Sequence, residues 1–270
     1  MDACVETRRR RLATALVLSV AAGCVPRAPD VKPAAGGEHP AEIGSIVEAF
    51  SDSGERVRLR VDAIDPDPTD AQRELTLYGL SAQAAGSEAW QPYCAPDREG
   101  KSRAIPVEGS WDQHGDWSPG DGAITFACTS GAIGKCMRWG YRPWKEVGGT
   151  SLHDHHLACV RMVRADYCGN GTPHTRDGTL IEMFDPLGVR TRDPGDPKNP
   201  FIMEAGWSPS GATYLYRPRL HDRVGEIAAE CPEKLAGRVP VSASELPLTP
   251  EEIHRRYPET LIINEHYAPR

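Results

Sequence analysis

The chain reads as an α+β fold that leans towards β, with short strands, a few helices and three disulfides. Three observations predict this. Glycine and proline are abundant, 26 and 24 of 270 residues, which favours frequent turns and short elements. Six of the eight cysteines (Cys94, Cys128, Cys136, Cys159, Cys168 and Cys231) remain once Cys4 and Cys24 near the N-terminus are set aside, and an even set in an exported chain without CxxC spacing reads as disulfides rather than a zinc site. Short stretches alternate with the period of a strand, while one longer stretch keeps the period of a helix.

Val57, Leu59, Val61 and Ala63 alternate with Arg58, Arg60 and Asp62, the pattern of a half-exposed strand. The run Pro66-Asp67-Pro68-Thr69 turns the chain, and residues 74–80 read as the partner strand. Residues 46–88 are therefore expected to form a small N-terminal β unit, with 89–270 as a larger disulfide-rich domain. Residues 123–129 alternate again and place Ile124, Phe126 and Cys128 on one face. The clearest helix covers 152–167, where Leu152, His156, Cys159, Val160, Val163 and Tyr167 recur at helical spacing. Ser151 with Asp154 suggests a capping box, Arg161 and Arg164 suit the negative end of the helix dipole, and Gly169 offers a stop. Asp177-Gly178 reads as a hairpin turn into a strand at 179–184, and Pro209-Ser210-Gly211 as the turn of a hairpin over 201–216. Thr249-Pro250-Glu251-Glu252 carries the cap, the first-turn proline and the capping glutamate of a late helix.

The first 24 residues address the protein. Four arginines at 8–11 precede the apolar run 12–20, then Ala21-Ala22-Gly23-Cys24. Cations hold the leading end in the cytoplasm, and roughly ten apolar residues are too few to span a bilayer permanently. Residues 1–23 therefore read as a secretory signal, and the small residues before Cys24 are similar to the lipobox of bacterial lipoproteins, which implies cleavage there and lipid on the Cys24 sulfur. Ala21 stands where leucine is usual, so a cleaved but unlipidated form is the alternative. Residues 24–45, rich in proline and small residues, read as a tether reaching up to roughly 60 Å when extended. Val25, in place of the aspartate that retains enterobacterial lipoproteins in the inner membrane, favours the outer membrane of the envelope.

Removal of the leader takes four arginines with Asp2 and Glu6 and shifts the net charge from −7 to −9. Such a chain lacks the clustered cations that nucleic acid requires. Lipid on Cys24, rather than electrostatic adhesion, is then the expected link to the membrane. A protein or glycan is the expected partner.

Chemistry-bearing residues are few. His153, Asp154, His155 and His156 resemble a metal cluster, but on a helix only His153 and His156 share a face. These two are the metal candidates, and no cofactor is implied. Asp166 and His174, with one of the helix histidines and with or without a divalent metal, are the candidates for acid–base work in an exported hydrolase, the alternative to a binding or structural role. Cys168 beside them suggests a nucleophile, but an oxidising compartment favours its pairing. Gly131 to Cys136 lacks both the leading glycine and the hydroxyl of a phosphate loop, and no HExxH, GxSxG or GxGxxG occurs. Six tryptophans, with Trp90, Trp111 and Trp117 amid Gly, Asp and Gln, are read as core, with stacking on a sugar or peptide as the other option.

The segment RMVRADYCG at 161–169 resembles the bacterial ADYC domain family, in which Ala165-Asp166-Tyr167-Cys168 supplies the name. The likeness extends to Cys136, to Gly140-Tyr141-Arg142-Pro143-Trp144, and to Gly171 and His174-Thr175-Arg176-Asp177-Gly178-Thr179, and is expected to run from about residue 90 to the C-terminus, over the domain at 89–270. The resemblance implies an exported or lipidated, disulfide-rich protein and carries no reaction with it.

Overall fold

The structure is a computed structural model describing residues 41–51, 55–112, 114–120, 122–220, 224–240, 242 and 244–267. The leader, Cys24 and the tether as far as residue 40 lie outside the described residues. All described residues belong to one unit, Ala35–Arg270. Its first half holds strands β1 (Ile46–Phe50), β2 (Arg56–Pro66), β3 (Thr76–Ala84), β4 (Gln91–Pro92), β5 (Ala104–Glu108), β6 (Ser110–Trp111), β7 (Trp117–Ser118) and β8 (Ile124–Cys128). Helix α1 (Ala132–Arg138), the short pair β9 (Glu146–Val147) and β10 (Thr150–Ser151), and helix α2 (His153–Arg164) follow. The second half adds β11 (Ile181–Phe184), β12 (Phe201–Ser208), β13 (Gly211–Leu215), α3 (Val224–Glu230), α4 (Pro232–Leu235), α5 (Pro250–Arg256) and β14 (Ile262–Tyr267). The result is α+β and β-leaning, as the composition predicts.

Two antiparallel sheets enclose the helix pair. The first has the order β1-β2-β3-β5-β8, with β4 also paired to β3; the second has the order β11-β14-β12-β13. Alternation divides the first sheet between two cores. Leu77, Ile105, Val107 and Ala127 face the main cluster, which also takes Met137 of α1, Val160 and Met162 of α2, and Trp207, Leu215 and Ile262 of the second sheet. Tyr78, Leu80 and Ala104, with Phe126 and Cys128 beside them, face a smaller cluster. Beyond the second sheet, Met203, Tyr214 and Ile263 pack with Ile253 of α5.

Three disulfides bind these layers. Cys94–Cys128 closes the outer cluster of the first sheet, Cys136–Cys159 joins α1 to α2, and Cys168–Cys231 ties the segment after α2 to the α3–α4 junction. The first sheet is also bolted to α1 through its β2–β3 turn. Asp67 accepts from Arg138 Nε (2.8 Å), and Asp70 meets Arg142 Nη2 (2.7 Å) while accepting the amides of Gln72, Glu74 and Leu75. Burial raises both carboxyl pKa values, but these bonds outweigh it and hold them below the usual range.

The structure departs from the expected elements in identifiable ways. The partner strand begins at Thr76 rather than Glu74, because the Asp70 carboxylate takes the Glu74 and Leu75 amides out of the ladder. Strands β2 and β3 do not stand apart from the later chain: β3 pairs with β4 and β5, so the boundary expected at 88/89 falls within one sheet. Gly44, within the expected tether, donates its amide to the Val61 carbonyl (2.8 Å). No capping box forms at α2: Leu152 is the N-cap, and Ser151 Oγ instead accepts from the His153 amide (3.2 Å). Asp177-Gly178 turns no hairpin, since β11 pairs with the distant β14. The hairpin β12–β13 forms as expected, as does the capping box of Thr249 and Glu252 on α5.

The cross-links differ in the length of chain they close, 63 residues for Cys168–Cys231 against 23 for Cys136–Cys159. In the chain-entropy account the longer loop contributes about 4 kcal/mol and the shorter about 3.5 kcal/mol. Urea unfolding of the double variant Cys168→Ala/Cys231→Ala should therefore lose about 4 kcal/mol, and a loss below that of Cys136→Ala/Cys159→Ala would refute this ranking by loop length.

Candidate functional site

The end of α2 is where the unusual residues gather. The helix closes at Arg164, and Ala165 adopts the left-handed region (φ 51°). The Ala165 amide donates to the Met162 carbonyl (3.0 Å) and the Asp166 amide to the Arg161 carbonyl (2.9 Å). That pair of bonds is a Schellman motif with alanine where glycine is usual. The fully buried Ala165 packs into the main core, which offsets the left-handed strain. The helix therefore stops four residues before Gly169, the stop that glycine propensity suggests.

Each residue after the cap has a distinct partner. The Asp166 carboxylate accepts from Arg161 Nη1 (2.7 Å) and from the amides of Asn170 (3.1 Å) and Gly171 (2.8 Å). Arg161 also reaches the Pro209 and His114 carbonyls and the Asp116 carboxylate. Gly169 lies against the β12–β13 turn so closely that a Cβ there would sit 1.9 Å from the Ser210 carbonyl oxygen. Cys168 is bonded to Cys231 and offers no thiol.

Tyr167 enters a dry polar network. Its hydroxyl donates to Glu204 Oε1 (2.8 Å), and its ring stacks on Trp207 (5.3 Å). Arg219 Nε donates to both Glu204 oxygens (2.9 and 3.0 Å), and its Nη2 donates to the Met162 carbonyl (2.7 Å). Asn264 Nδ2 donates to Glu204 Oε2 (2.8 Å) and Asn264 Oδ1 accepts from Trp207 Nε1 (2.7 Å), which together fix the amide's orientation. Glu204 and Asn264 are wholly buried. Burial, then the Glu204 charge, pushes the Tyr167 phenol well above its ordinary pKa.

The histidines stand elsewhere. His156 is wholly buried, and its Nδ1 lies 2.6 Å from the Tyr141 carbonyl oxygen; its ring meets Trp111 edge-on at 5.1 Å. His153 sits one turn earlier, with Nδ1 3.3 Å from Asp154 Oδ1 and its ring edge-on to Trp117 at 4.5 Å. His155 turns to stack on Tyr141. His174 bridges the Ala165 carbonyl (3.2 Å) and Glu230 (3.1 Å) through its two ring nitrogens.

The two acid–base candidates thus share no hydrogen bond among the described residues. The Asp166 side chain has no solvent exposure. His174 keeps company with Glu230 of α3. The sequence-predicted metal candidates, His153 and His156, do share one helix face and one tryptophan wall, since Trp111 and Trp117 are opposed across β6 and β7. Trp207 and Trp111 are core, whereas Trp144 is exposed. A surface depression lined by Arg192, Asp193, Pro194, Pro200, Phe201 and Glu265 contains none of these candidates. Alternation assigns polar residues in a strand to the wet face, so Glu204 and Asn264 do not stand out in the sequence, and Arg219 lies beyond β13 with no local signal. The one signal is their setting, Glu204 inside Phe-Ile-Met-Glu-Ala and Asn264 directly after Ile-Ile.

The chain matches the family model described as the ADYC domain over residues 42–221, and it belongs to that family. The match begins well before the expected start near residue 90, so that it takes in β1–β3, and it ends at 221 rather than at the C-terminus. No curated protein and no solved structure matches the chain.

Removing one partner of a buried ion pair leaves the other charge uncompensated, so Glu204→Gln should cost about 3–5 kcal/mol in denaturant unfolding; a loss under 1 kcal/mol (roughly one fifth of that range) would mean Arg219 finds another acceptor. Burial pushes the His156 pKa down to about 4, against the bond to the Tyr141 carbonyl that favours its charged form. An unfolded imidazole takes its proton near pH ~6.5. Between those values the unfolded state binds more protons, so stability is whole above pH ~6.5 and falls as pH drops towards 4. The full loss is about 3 kcal/mol, and His155, also lowered by burial, adds in the same direction. Thermal unfolding of chelator-treated protein between pH 7 and pH 4.5 should show this fall, and His156→Gln should flatten it.

Proposed function

We propose that this member of the ADYC domain family is an exported, lipid-anchored protein of the bacterial cell envelope, with a binding or structural role rather than a catalytic one. The observation that carries this reading is the pairing of all six cysteines of the folded part. Buried disulfides joining separate layers suit an oxidising compartment, the destination implied by the arginine-led apolar leader and by Cys24. Lipid on Cys24 is the link to the membrane, with the outer membrane favoured over the inner by Val25. Nucleic acid is disfavoured as a partner by the acidic balance.

The non-catalytic reading rests on how the candidate groups are spent. Both Asp166 oxygens hold Arg161 and backbone amides, Cys168 is bonded to Cys231, and His174 is held at both nitrogens. A general base needs reach to a substrate proton, and Asp166 has none in this arrangement. The partner expected is a protein or a glycan of the envelope.

The anchor is tested by expressing the chain and its Cys24→Ala variant in a Gram-negative host with labelled palmitate. The wild-type chain should carry label and sediment with membranes, whereas the variant should lose the label and become soluble. Membrane association unchanged in Cys24→Ala would overturn the lipid anchor.

A further inference from the structure

The two helix histidines have an arrangement that the structural role of α2 does not require. The Tyr141 carbonyl can only accept, so His156 must carry its proton on Nδ1 to make the 2.6 Å contact. The Asp154 carboxylate imposes the same tautomer on His153. His156 therefore presents Nε2 as a bare lone pair, and His153 does the same in its neutral form. Both Nε2 atoms are shielded from solvent and have no hydrogen-bond partner, and so is Trp111 Nε1. Leaving two buried acceptors unsatisfied costs stability unless something occupies the space they face.

We propose that His153 Nε2 and His156 Nε2 bind a single monovalent d10 cation, Cu(I) or its congener Ag(I), beneath the Trp111–Trp117 pair. Spacing of three residues on α2 places both imidazoles on one helix face. Each is oriented by an outer Nδ1–H bond to a carboxylate or carbonyl, the support that metal-bound histidines require. The ion class follows from the donor count. Among the described residues no group of three or more His, Cys, Asp or Glu side chains could hold an ion, so a zinc ion needing four donors is poorly served. A monovalent d10 ion is content with two nitrogens in line. The indole rings at 5.1 Å and 4.5 Å from the two imidazoles add a π surface that favours a desolvated cation. His155, turned onto Tyr141, takes no part.

The test uses the full chain without a polyhistidine tag, with Cys4→Ser and Cys24→Ser to remove the two thiols outside the described residues. Cu(I) is supplied anaerobically from a chromophoric chelator with ascorbate, and tryptophan emission is followed alongside chelator absorbance. One Cu(I) per chain should be withdrawn from the chelator with quenching of tryptophan emission. His153→Gln, at a partly exposed position, should lower the affinity at least tenfold while leaving thermal unfolding of the metal-free protein within a few degrees. His156→Gln should do the same to affinity, and His174→Gln should change nothing. No uptake, uptake undiminished in His153→Gln, or tighter binding of Zn(II) than of Cu(I) would each overturn the proposal, the first leaving a bound water as the occupant.

Discussion

The buried pair of Glu204 and Arg219 is the interaction on which the rest of this structure leans. Two opposite charges withdrawn from water lose hydration worth several kcal/mol each, and only full satisfaction of their remaining donors and acceptors offsets that. Here the satisfaction is nearly complete. Tyr167 and Asn264 occupy the Glu204 oxygens, and the carbonyls of Met162 and Val163 receive Arg219. These six residues come from five parts of the fold: the end of α2, the segment after it, β12, β14 and the chain beyond β13. Any slip of one against another strands a charge. The pair thus acts less as glue than as a gauge of correct assembly.

The four residues that follow α2 explain why a short segment can mark a whole domain. Ala165 ends the helix in a left-handed turn whose side chain is core, a position where glycine would cap more easily but pack less. Asp166 folds the next loop back on Arg161, Tyr167 enters the charged network, and Cys168 fixes α3 and α4. Gly169 then passes against the β12–β13 turn at a distance no side chain could share. Each is a different physical device. Such a run tolerates little exchange, for structural reasons alone and without any reaction to preserve.

A set of short acidic side chains is buried in this domain and serves its turns. The turn between β2 and β3 is knitted by Asp67 and Asp70 to Arg138 and Arg142, so that the first sheet meets α1 through charges as well as through apolar side chains. Turn-rich chains have little regular ladder to absorb backbone groups, and short acidic side chains accept those amides instead. Asp185, which takes three amides and the Tyr141 hydroxyl, is a further instance. The acidic balance of the chain is partly this internal scaffolding.

The sequence by itself determined the class of fold, the hairpin β12–β13, the capped helix α5, the partners β2 and β3, and the oxidation of the six cysteines. These follow from local signals: period-two alternation, a proline and serine at a turn, a threonine with a glutamate three residues on, and an even cysteine count. It did not determine where α2 stops, that β11 would pair with β14, or which cysteine meets which. Nor did it disclose that the conspicuous Asp166 would be buried as a loop anchor, or that Glu204 would lie dry in a strand. Those outcomes depend on residues far apart in the chain, because a carboxylate or a left-handed alanine is stable only in the surroundings that other segments bring to it. Local propensity sets what a segment prefers; the arrival of Arg219, Trp207 and Ser210 decided which preference survived.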